Sequence, residues 1–153
     1  MKVIFHAMFG SLLLAMISSF FAASLVTQYW YAGDVIVSVK SLVLQGFFWL
    51  IPFLLATGLL GLSLAKNRQG RVVESKKKRM LWIVLLCIAI LFPAAYTLDA
   101  MAQKGEFDLW YFLVQAIEYI FDLIALVLLG LNFRDGVKLV AIQAASPGDR
   151  VNE

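Results

Sequence analysis

Four polar side chains recur along a short oily segment: Tyr111, Gln115, Glu118 and Asp122 follow one another at spacings of four, three and four. In a helix those intervals place all four on one face. Two carboxylates one turn apart can share a proton, hold a cation or pair with a basic group. A charged carboxylate at the centre of a bilayer costs at least about 2.5 kcal/mol, and two neighbouring anions also repel. At most one of the pair is therefore expected to be ionised unless a cation lies between them.

The elements that must position this face are set by composition. The 153 residues are 62% hydrophobic and only 15% charged, with a mean hydropathy of +0.86. A bilayer span needs about 20 mostly apolar residues. Four stretches meet that length, Val3 to Thr27, Leu42 to Ala65, Met80 to Ala100 and Leu109 to Phe133. The predicted fold is all-α, a multi-pass bundle of four transmembrane helices forming one domain over residues 1–145. A short polar tail over 146–153 is expected to be disordered, and no room is left for a soluble domain.

The thirteen basic residues set the orientation. Seven of them (Lys66, Arg68, Arg71, Lys76, Lys77, Lys78 and Arg79) crowd the linker between spans two and three. The positive-inside rule puts that linker in the cytoplasm. Lys2, Arg134, Lys138 and Arg150 then share its side, and only Lys40 and Lys104 are left outside. Both termini are expected to be cytoplasmic. Aromatic residues beside polar ones, Tyr29, Trp30 and Tyr31 and again Trp110 and Tyr111, suit the opposite interface.

The first span has a rival reading as a cleaved signal peptide, since a lysine, an apolar run and small residues near Ala22, Ala23 and Ser24 follow in order. The apolar run of about 20 residues exceeds the usual core of about 7 to 15, which favours a retained span. Its small residues Ala7, Ser11, Ala15, Ser18 and Ala22 share one face. That face is expected to pack against a second small-residue line, Thr57, Gly61 and Ala65, on span two.

Several function classes fall away. The single cysteine, Cys87, excludes thiol chemistry that works through cysteine pairs. One histidine, His6, excludes haem held by two histidines of the same chain and argues against a zinc site of ordinary ligand set. No phosphate loop, nucleophile elbow or metalloprotease motif is present, so an enzyme is the lesser expectation and neither cofactor nor metal is predicted. The basic linker lacks the aromatic interleaving of a nucleic-acid surface. It reads as an orientation signal ahead of an anionic-lipid patch.

Depth, counted from the basic residues at about 1.5 Å per residue, groups further residues with the acidic pair. Glu118 and Asp122 lie 16 and 12 residues before Arg134, while Pro52 and Pro93 each lie 14 from Lys66 and Arg79. A proline frees backbone carbonyls one turn earlier, and such backbone is tolerated where it lines a cavity. The expected polar layer therefore has Pro52, Pro93, Ser11, Ser18, Ser19 and Tyr96 as neighbours of the acids. No basic residue of the chain is expected at that depth.

The missing countercharge then separates three functions. A partner's Arg or Lys implies an accessory or complex-forming subunit, the leading expectation. A proton or cation that comes and goes implies a coupled transport element. A permanently protonated pair bonded to Ser18, Ser19 or Tyr96 implies structural glue, and an embedded enzyme acting on a lipid or quinone-like substrate is a further, lesser reading. Expected partners are membrane lipids and either another membrane protein or further copies of the chain, with the bacterial inner membrane as the default location.

Overall fold

The computed structural model describes residues 2–31, 33–65 and 71–145, and within them the side chains of 7–31, 33–61, 63 and 74–137. Every element in those residues is helical: α1 (Lys2–Trp30), α2 (Gly33–Ala65), α3 (Arg71–Leu86), a π-helical turn (Cys87–Leu91), α4 (Phe92–Lys104) and α5 (Leu109–Ala145). The segment α3–π–α4 runs without a break and forms one span. Four spans are thus long and apolar enough to cross a membrane. The polar tail and the middle of the basic linker, 66–70, lie outside the described residues.

Each helix overruns its hydrophobic run. Span two begins at Gly33 rather than Leu42, span three at Arg71 rather than Met80, and α5 continues to Ala145. Helical hydrogen bonding does not stop where apolarity stops, and Lys76 to Arg79 are all good helix formers. Two tight connections join the spans at what we term the hairpin end, and the other is the basic end. Gly105 closes α4 in a left-handed conformation (φ 71°), its N–H bonded to Ala102 and that of Glu106 to Met101. This pair of bonds is the glycine-terminated motif that satisfies orphan carbonyls. Asp108 then caps α5, its Oδ1 accepting the Tyr111 N–H at 3.0 Å.

The spans are arranged in a ring, α1 against α2 and α5, and the third span against the same two. Contacts such as Phe20 with Phe47 and Phe47 with Phe92 mark antiparallel neighbours. Within the ring, Leu13, Ile17, Val43, Phe47, Leu50, Leu54, Ile83, Leu91 and Leu129 are buried together. Lipid is as apolar as leucine, so this core holds by close packing rather than by water exclusion. Gly46 shows how close: a Cβ there would stand 2.2 Å from the Phe20 ring.

The expected seam between spans one and two is corrected here. Ala7, Ser11, Ala15, Ser18 and Ala22 all face out of the bundle. Leu13, Ile17 and Phe20 make the inner face instead, because larger side chains gain more dispersion contact in the core. On span two, Gly58, next to Thr57 of the second small-residue line, faces α3: the carbon nearest a Cβ there belongs to Met80.

The π turn sits just before Pro93. Phe92 donates its N–H to the Cys87 carbonyl, five residues back. Proline has no N–H and crowds the carbonyl four residues earlier, and a wider turn ahead of it is one way to relieve that clash.

Candidate functional site

Tyr111, Gln115, Glu118 and Asp122 are all buried on the inward face of α5. The expected stripe is present. Its countercharge, however, comes from within the chain: Lys40 Nζ lies 2.7 Å from Glu118 Oε2, with Lys40 1% and Glu118 2% exposed. This overturns both the placement of Lys40 at the outer surface and the expectation that no basic residue stands near the acids. Lys40 is seven residues inside α2, about 10 Å from the helix end, because α2 starts a full two turns before its apolar run.

Lys40, on α2, is held from two other spans. Its ammonium also donates to Ser24 Oγ on α1 at 2.7 Å, and Ser24 in turn lies 3.5 Å from Glu118 Oε2. Gln115 Nε2 donates to the same carboxylate oxygen at 2.6 Å. Charge-assisted bonds of this length are the strong ones, and a buried pair repays its desolvation only when it collects such bonds. Next to Lys40, Ser41 donates to Asp99 Oδ1 on α4 at 2.6 Å, and Gln103 Nε2 holds the other oxygen at 2.8 Å. All four spans therefore meet in one polar layer toward the hairpin end.

Aromatic hydroxyls extend it. Tyr111 donates to Gln28 Oε1 at 3.1 Å, and Tyr119 donates to the Ser24 carbonyl at 3.0 Å. Asp122 differs from its neighbours. It is 4% exposed, feels the charges of Glu118 and Lys40, and makes no hydrogen bond among the described residues. Gln115 Oε1 is likewise buried and without a hydrogen-bond partner among the described residues, as are both amide atoms of Asn132, two turns and more along the same face. Chemically, one ammonium faces two carboxyls, which leaves one acid without a matching positive charge.

The remaining expected neighbours do not join this group. Ser11, Ser18 and Ser19 face outward, and each hydroxyl donates to the carbonyl four residues back in its own helix. A hydroxyl without water nearby finds that acceptor locally. Pro52 and Pro93 are exposed, and Tyr96 is 61% exposed. Depth alone does not fix which way a residue points: helical phase turns these away from the acids. Ser24, Lys40, Ser41 and Asp99 were the residues that sequence reasoning missed. The available signal was Gly33–Asp34, a helix-starting pair that brings Lys40 onto a span.

At the basic end, Arg79 on α3 pairs with Asp135 on α5, and Arg134 Nε lies 3.8 Å from the same carboxylate. The third span and α5 are thus tied to each other at the basic end. No protein family, curated protein or solved structure matches the chain.

Proposed function

We propose that this chain is a small complex-forming membrane subunit, with both ends in the cytoplasm and the bacterial inner membrane as its default setting. The observation that carries this reading is the tying of all four spans in one layer, through Lys40 and Ser41, above a continuous apolar core. A bundle clamped in this way is suited to keeping a fixed outer shape. Passage through it would require the core from Leu13 to Leu129 to part. The charges are balanced mainly inside the chain, so a partner is not needed to neutralise Glu118. It would instead meet the outward helix faces, among them the small residues of α1, where another backbone can approach closely.

Affinity purification from the source membranes in mild detergent tests this reading. A stoichiometric second membrane protein is the expected result. Recovery of this chain alone, or only with its own copies, overturns the accessory role.

Asp122 favours a second reading, a proton- or cation-coupled element, because it is a buried acid with no hydrogen bond among the described residues beside an occupied ion pair. Proteoliposomes loaded with a pH-sensitive dye test it. Proton flux lost in Asp122→Asn would support coupling, and the absence of flux in the parent chain would exclude a proton-coupled element.

A further inference from the structure

Most polar side chains in the spans are turned inward or bonded to their own helix. Gln45 is neither. It is exposed on the outer face of α2 and makes no hydrogen bond among the described residues. It lies 12 residues after Gly33 in a candidate span that runs from Gly33 to Gly61, about 18 Å along the helix. A hydrocarbon core is about 30 Å thick, so Gln45 stands near its middle, too deep for its short side chain to reach the headgroups.

Two further polar groups accompany it. Trp49, one turn on, is 69% exposed with its indole on the same side. Pro52, also exposed, has no N–H to give to the Phe48 carbonyl four residues back. The outer face of α2 therefore offers, within two turns, a primary amide, an indole N–H and a carbonyl without its helical donor. In lipid such groups have no water to turn to.

We infer that this face is the contact of a homodimer, two copies of the chain meeting along α2 about a two-fold axis normal to the membrane, with Gln45 at the axis. The occupant follows from the amide itself. A primary amide carries donors and an acceptor in one plane, so two of them related by a two-fold satisfy each other reciprocally. A two-fold contact is isologous, each copy giving and receiving the same group. With the axis along the membrane normal, residues of equal depth face each other, and Trp49 of one copy then stands level with the Phe48 carbonyl of the other. The flanking Leu42 and Phe48, both exposed, supply the apolar border. This adds a surface and a partner to the complex-forming reading while standing on different residues from those of the α1 face.

Two populations of the full chain, carrying donor and acceptor dyes, reconstituted together in liposomes, read the association by energy transfer. The parent chain is expected to dimerise, Gln45→Leu to weaken dimerisation at least tenfold, and Gln45→Asn to weaken it less. Gln45 is exposed and makes no hydrogen bond among the described residues, so the thermal stability of each variant should match the parent. A parent chain that stays monomeric at all protein-to-lipid ratios overturns the inference, as does a dimer that Gln45→Leu leaves unchanged. If Gln45→Leu instead abolishes recovery of a different membrane protein by a monomeric chain, the homodimer is overturned and the accessory reading stands.

Discussion

Lys40 and Glu118 are separated by 78 positions in the chain and by 2.7 Å in the fold, with a serine from a third span on the same ammonium. The pair closes the bundle between α2 and α5, which are not neighbours in the ring of spans. It reaches across the middle.

Removing either member leaves the other charge buried without its counterion. Lys40→Met or Glu118→Leu alone should destabilise by about 3–5 kcal/mol, while the double variant should recover most of that loss. Thermal unfolding of the four proteins in one detergent measures the coupling. Strictly additive losses would show that the two residues act independently.

Asp122 should behave in the opposite way. Asparagine keeps its shape, and no hydrogen bond among the described residues is lost. Asp122→Asn is therefore expected to hold stability or raise it on the order of 1 kcal/mol. If the complex-forming reading is right, partner recovery is unchanged in the same variant. A large fall in melting temperature would mean that Asp122 is a structural member of the layer.

The contact between Gly46 and Phe20 gives a test of packing. A Cβ at Gly46 meets the Phe20 ring at 2.2 Å, and that ring packs at a tilt against Phe47. Gly46→Ala should cost about 1–3 kcal/mol through overpacking. Adding Phe20→Leu should restore much of it, as read by the melting temperatures of the single and paired variants.

Orientation can be read with a thiol label. Cys87 is buried, so a cysteine placed at exposed Glu106 or Ser75 reports cleanly. If the basic end is cytoplasmic, as proposed, an impermeant reagent added to intact cells should label Glu106→Cys and spare Ser75→Cys. The reverse pattern would invert the topology.

The four spans and the inward stripe of α5 were legible because both are properties of a single helix. Hydropathy marks a span, and the spacing of Tyr111, Gln115, Glu118 and Asp122 marks a face. The partner of Glu118 was not legible in the same way. Lys40 lowers the local hydropathy, which pushed the expected start of span two to Leu42, and its role depends on the phase of α2 relative to α1 and α5. That phase is set by contacts such as Phe20 with Gly46, between residues far apart in sequence. The serines and prolines were assigned by depth, one coordinate of a helix, when the second coordinate, rotation about its axis, decided that they face outward.

The separation of Lys40 from Glu118 also has a cost in time. Ser24 precedes Lys40 by 16 residues, but Glu118 follows it by 78, which at about 5–20 residues per second means a wait on the order of 4–16 s during synthesis. Throughout that interval α1 and α2 are present while the cation of Lys40 has only a neutral hydroxyl to hold. Its position some seven residues from the start of α2 lets a long flexible side chain reach toward the headgroups meanwhile. Arrival of α5 draws it inward. A copy truncated before Glu118 never completes that step and keeps an unmatched positive charge at the bilayer edge.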